Sequence, residues 1–234
     1  MKKIANTEAE RNLIKAYIAV EAVLLIAIQT NRIMHFSRLG VLGYPAIVIN
    51  TAVAAYFFAK YGKTIRDRSA NIIACALFVT LIADWFLTFR GARHGEMIYI
   101  YGVTAFCLVE ILYAAYLKAG AGSVIARAAL FAAGLLGLKK AGMLNAESAL
   151  GILNVTLLLV NVIDAWAAKR RDAALMFKLG ITLFLLCDIT VMLKVFTHGG
   201  TRAAFSFMTW LFYVPAQALL TLSYAEACSD RTGD

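Results

Sequence analysis

Apolar residues along this chain gather in eight runs, at about 12 to 30, 41 to 60, 72 to 90, 97 to 118, 123 to 138, 147 to 167, 175 to 196 and 203 to 224, with short polar connections between them. Most are near the ~20 residues that carry a helix across ~30 Å of hydrocarbon. Their continuous apolar character does not fit the period-2 alternation of a membrane barrel strand. The pattern predicts an all-α fold, a polytopic membrane bundle of eight transmembrane helices. Residues 1–234 then form a single transmembrane domain, with a polar N-terminal tail (1–11) and a polar C-terminal tail (225–234). No small-residue cleavage site follows the first run, so it is expected to stay as a helix. The fifth run is the shortest. Arg127 near its start is expected to snorkel toward the interface, and its small residues Gly122, Ala126, Ala129, Ala133, Gly134 and Gly137 suit close approach of another helix.

Composition sharpens this picture. With 62% hydrophobic residues, 16% charged residues and a mean hydropathy of +0.74, the chain has too few polar side chains to cover a water-soluble globule. A disordered chain and a soluble Rossmann or TIM-type enzyme are excluded. The net charge of +9 would suggest nucleic acid in a soluble protein; here it reports topology, and the expected partner is the lipid bilayer. Fifteen Lys and Arg fall on the side of the N-terminus and the even-numbered connections, against eight on the other. The positive-inside bias therefore predicts both termini in the cytoplasm, with the bacterial inner (plasma) membrane as the expected location. Tyr56 and Trp166 fall where an interfacial aromatic belt is expected. The four cysteines lack metal or disulfide spacing and read as small core residues. His35, His94 and His198 lie in connections at unrelated spacings, and neither an HExxH pattern nor a nucleophile elbow is present, so no metal and no cofactor is expected.

Carboxyl groups inside the apolar zone are costly unless paired, solvated or protonated, and are therefore informative. Four qualify: Glu21, Asp84, Glu110 and Asp188. Glu21 is expected to pair with a basic group or a helix-end carbonyl. Asp164, near a helix end with Lys169 close by, is expected to be solvated at the interface. Asp84 and Asp188 differ, since neither has a basic residue within one turn. Each lies twelve residues along an outward-running helix, or roughly 18 Å at 1.5 Å per residue, which puts both at one depth. Asn154 falls near that level, and Asn161 shares its face. Pro215 should break the eighth helix and free the carbonyl of Leu211.

The two four-helix halves are weakly alike. Each has an Asp in its third helix and a polar residue beside a tyrosine in its fourth, Glu110 with Tyr113 and Gln217 with Tyr213. Spacings of three and four place each pair on one helical face. Two carboxyl groups sharing a low-dielectric pocket do not both ionise easily, so one can act as an acid while the other remains a base. That pair suits hydrolysis through an oxocarbenium-like state. Proton-coupled transport, or a non-catalytic carrier of lipid or small amphiphiles, would use the same pocket differently, and the pattern alone does not choose.

Four blocks carry a resemblance: ADWFLTF (83 to 89), GVTAFCLVEILYAAYL (102 to 117), LGITLFLLCDITVML (179 to 193) and WLFYVPAQALLTLS (210 to 223). In order and spacing, across roughly residues 45 to 225, the chain resembles the YhhN-like lysoplasmalogenase family of eight-helix membrane proteins. Two departures stand out. Asn50 and Thr51 occupy the place where many members have Lys-Pro, and Glu110 stands where many have His. The resemblance implies hydrolysis of the vinyl ether of a lysoplasmalogen, releasing a fatty aldehyde and a glycerophospho-alcohol. It also implies a lysophospholipid or related amphiphile as the binding partner. On this reading Asp84 and Asp188 are the catalytic pair, and Glu110, Tyr113, Asn154, Asn161, Tyr213 and Gln217 shape the substrate pocket.

Overall fold

A computed structural model describes residues 7–33, 43–65, 68–88, 96–168, 175–195 and 197–229. These form eight α-helices: α1 (Glu8–Ile33), α2 (Gly43–Tyr61), α3 (Asn71–Thr88), α4 (Glu96–Tyr116), α5 (Ala121–Lys140), α6 (Ala146–Ala167), α7 (Leu175–Val195) and α8 (Gly199–Ser229). A 3-10 turn, Arg68–Ala70, leads into α3. Seven helices are long and apolar enough to cross a membrane, and the protein is an integral membrane protein. The exception among the eight expected spans is α2, where Asn50, Thr51 and Lys60 lower the hydropathy.

Helix starts have local causes. At α1 the Thr7 hydroxyl accepts from the Glu10 amide at 3.2 Å while Glu10 accepts from the Thr7 amide at 3.1 Å, a reciprocal capping box. Asn145 and Ser148 make the equivalent box at α6. Both α1 and α8 overrun the expected apolar spans, because their polar ends are satisfied within the protein. Buried Glu10 is held by Lys60 at 2.7 Å and by the Tyr61 hydroxyl. The far end of α8 is also buried, with Ala225, Cys228 and Ser229 inside, so residues 225 to 229 belong to the helix and not to a polar tail. The assigned helix runs without interruption through Pro215, where a break was expected, although the proline supplies no amide to the Leu211 carbonyl.

Packing is organised around α8, which touches α1, α2, α3 and α7, its broadest contact being with α7. The α3–α4 pair joins this group through α3, and α6 bridges α4, α5 and α7. The core carries Phe57, Ile73, Leu77, Tyr113, Phe177, Phe184, Leu220 and Tyr224. Ile18, Val23, Ile26, Phe78, Ile111, Ile125 and Ile163 point outward and exposed, the inverse of a soluble protein and the arrangement hydrocarbon favours. Of the cysteines, Cys107, Cys187 and Cys228 are buried; Cys75 is exposed and is not the core residue expected.

Two glycines set helix approach. A Cβ on Gly180 of α7 would sit 3.1 Å from the Ala216 carbonyl oxygen of α8, against backbone that cannot yield. Gly180→Val should therefore lower stability by about 1–3 kcal/mol, checked by thermal unfolding in detergent. On α5, a Cβ at Gly134 would meet Ile152 of α6 at 2.4 Å, whereas Gly122 and Gly137 face open space. The expected small-residue packing on α5 is thus confined to one contact point among its glycines.

Candidate functional site

α3 and α7 each bring an aspartate inside the bundle. Asp84 is buried and accepts a hydrogen bond from the hydroxyl of Tyr213 on α8. Asp188 is partly buried and accepts from the Asn154 amide of α6 at 2.9 Å. The described contacts include no direct bond between the two carboxyls, but they lie within electrostatic reach of one another. Each is therefore oriented by a neutral donor on another helix, and among the described residues neither is paired with a cation. Phe184 lies against this group, with ring centroids 5.7 Å from Phe106 and 5.8 Å from Tyr213. The Trp210 ring meets Tyr213 edge-on at 5.8 Å.

The likeness between halves resolves into an exchange. Asp84 of the first half takes its hydrogen bond from Tyr213 of the second, while Asp188 of the second lies within electrostatic reach of Glu110 of the first. Glu110 is fully buried; the Asn161 amide donates to both its backbone oxygen and its Oε2, each at 2.8 Å. Its Oε1 has no partner among the described residues, nor do the Tyr113 hydroxyl, Asn154 Oδ1 and Gln217 Nε2. All four belong to residues expected to shape a pocket, and their free valences suit water or a polar substrate group.

Three expectations need correction here. Arg127 does not snorkel: it is 9% exposed, and its Nη2 donates to Asp164 at 2.9 Å and to Asn161 Oδ1 at 2.6 Å. Asp164 is in consequence ion-paired, and it also accepts from Ser123 at 2.6 Å; Lys169, its expected neighbour, lies outside the described residues. Asn161 belongs to this second cluster of α4, α5 and α6. It does not share the Asp188 contact made by Asn154, because two turns of α6 separate the asparagines. The third correction concerns Glu21. Instead of the expected counter-charge, neither carboxyl oxygen has a partner among the described residues.

Nearby, α1, α2 and α8 bring together a smaller polar group in which Tyr17 and Thr221, which the sequence did not single out, both donate to Asn50. Its signal was the departure at position 50. A cavity of about 460 Å³ opens elsewhere, beside the α4–α5 turn, lined by Tyr116, Lys118, Ser123 and Asp164. Asp164 is ten residues beyond Asn154 on α6, about 15 Å along the axis, so this cavity is not the site of the two aspartates.

The model of the YhhN family matches residues 43–224, which takes in Asp84, Asp188 and every residue bonded to them. The chain belongs to the YhhN family. No match was found among curated proteins or among solved structures. The matched segment of this YhhN protein begins with α2 and ends within α8, leaving α1 outside it, and Glu21 with it.

Proposed function

We propose that this YhhN protein is a membrane hydrolase that cleaves the vinyl ether of a lysoplasmalogen or related ether lipid, with Asp84 and Asp188 as its acid and base. The observation that supports this reading is that two carboxyls from different helices, each bonded to a neutral donor, lie within electrostatic reach of one another. A lysine or arginine at either position would hold that group as a carboxylate; a phenol or amide leaves its proton exchangeable.

The reaction needs one acid and one base. The protonated carboxyl gives its proton to the β-carbon of the vinyl ether, and the C=C electron pair forms the new C–H bond, leaving an oxocarbenium ion. Water adds to the α-carbon and surrenders a proton to the carboxylate partner. The partner, now protonated, gives its proton to the ether oxygen as the C–O bond breaks and the glycerophospho-alcohol leaves, while the hemiacetal hydroxyl returns a proton to the first carboxylate as the aldehyde C=O forms. One water is consumed and both carboxyls regain their starting states. Glu110, Tyr113, Asn154 and Gln217 supply unpartnered polar atoms for that water or the glycerol hydroxyl. The exposed apolar face of α3 at Phe78, Ile82 and Trp85 gives the alkenyl chain a route from the lipid phase.

The test is product analysis by mass spectrometry. Purified protein in detergent should release free aldehyde from lysoplasmalogens and none from saturated ether controls. Intact lipid bound without aldehyde would favour a carrier, and movement between the sides of a vesicle without cleavage would favour transport. Tyr213→Phe, which removes the donor to Asp84, should lower turnover about ten- to a hundredfold with folding retained, since one hydrogen bond to a charged group is worth about 1.5–3 kcal/mol.

A further inference from the structure

At the end of the bundle where α1 and α7 finish and α8 begins, three cations converge. Arg32 donates to Ser206 and lies over the Trp210 ring at 5.7 Å. Trp210 packs on Tyr213, and Tyr213 donates to Asp84, so three contacts lead from the guanidinium to the carboxyl site. Lys194 is one turn beyond Thr190, whose hydroxyl meets that of Thr209 on α8 at 3.0 Å, and Arg202 is one turn before Ser206, so that both lie within electrostatic reach of one another beside Arg32. The ion pairs among the described residues, Lys60 with Glu10 and Arg127 with Asp164, include none of these three. Like charges held together repel one another unless an anion joins them. On sequence these cations counted only as part of the minority on one face; the fold gathers them over the carboxyls.

The spacing matches one ligand. Lys194 is six residues beyond Asp188, a rise of about 9 Å, and Ser206 is seven residues before Tyr213, about 10 Å. In a lysoplasmalogen the β-carbon of the vinyl ether is seven bonds from phosphorus, roughly 8–9 Å when extended. We propose that Arg32, Lys194 and Arg202 bind the phosphodiester of the substrate's headgroup while its vinyl ether lies between Asp84 and Asp188. The proposal rests on the hydrolase reading and deepens it by naming the residues that hold the headgroup, so that a neutral alkenylglycerol is a poor ligand. Arg32 supplies a planar fork already fixed by Ser206 and Trp210, and Lys194 and Arg202 add charge around it.

Binding of uncleavable ligands to the full-length protein in neutral detergent tests this without requiring turnover. The probes are a saturated 1-alkyl lysophosphatidylethanolamine, the 1-alkylglycerol of the same chain, glycerophosphoethanolamine and inorganic phosphate. Wild type should bind the phospholipid at least tenfold more tightly than the alkylglycerol. Lys194→Gln, Arg202→Gln and Arg32→Gln should each reduce that preference, the triple variant should bring it within threefold, and Arg32→Lys, which keeps the charge and loses the fork, should keep only part of it. Equal binding of the two lipids by wild type, or a preference that survives the triple variant, overturns the assignment. Inorganic phosphate or glycerophosphoethanolamine binding as tightly as the phospholipid would mark a free-phosphate site and also overturn it. If the preference holds but no aldehyde is ever released from lysoplasmalogen, the hydrolase reading fails and the phosphate site stands.

Discussion

Asp84→Asn and Asp188→Asn each lower aldehyde release by about 10²- to 10⁴-fold while leaving the folded bundle intact. The substitution keeps the size and the acceptor oxygen, so Tyr213 can still donate at position 84 and Asn154 at position 188. What it removes is the exchangeable proton. Loss of the acid stops formation of the oxocarbenium ion, and loss of the base stops attack by water, so either variant fails. Thermal unfolding in detergent should stay close to wild type, which separates chemistry from misfolding. Turnover within a few-fold of wild type in both variants would remove the aspartates from the mechanism.

The largest expected loss of stability lies away from that site. Arg127→Met leaves the Asp164 carboxylate without its counter-ion and Asn161 Oδ1 without its donor, in a cluster where the Arg127 side chain is 10% exposed and that of Asp164 18%. Breaking a buried pair on one side costs about 3–5 kcal/mol, because a charge is stranded. The double variant Arg127→Met with Asp164→Leu strands none and should recover most of that loss. Unfolding midpoints of the two single variants and the double variant check this, and a cost under about 1 kcal/mol for Arg127→Met would mean that the pair behaves as if exposed to water. A consequence for the site follows, since Arg127 holds Asn161, and Asn161 holds Glu110.

Much of the fold was legible because hydrocarbon imposes length and apolarity on each span, and all eight helices lie where the apolar runs do. Their ends were less so. Glu10 marks a tail by composition, yet it is buried because Lys60 and Tyr61, about fifty residues away, come to meet it. The carboxyl pair was legible as a depth, since residues at equal rise on parallel helices share a level. Its partners were legible only in part. Tyr213 was singled out by its likeness to Tyr113, but nothing local says that it serves Asp84 across the two halves. Arg127 shows the reverse failure. A basic residue near a helix start reads as snorkelling, and only the packing of α5 on α6 brings Asp164 within 2.9 Å. The same holds for Arg32, Lys194 and Arg202, which sit on three helices and share no sequence motif.

The origin of the hydrogen that enters the product tests the central claim most directly. Lysoplasmalogen is turned over in D₂O, the aldehyde is reduced at once with borohydride, and the alcohol is analysed by mass spectrometry. Protonation of the β-carbon by an exchangeable carboxyl predicts one deuterium on carbon 2 of the product, formed by wild type and not above background by Asp84→Asn or Asp188→Asn. Aldehyde released without that deuterium, or with it at undiminished rate from both variants, would contradict acid catalysis by the two aspartates.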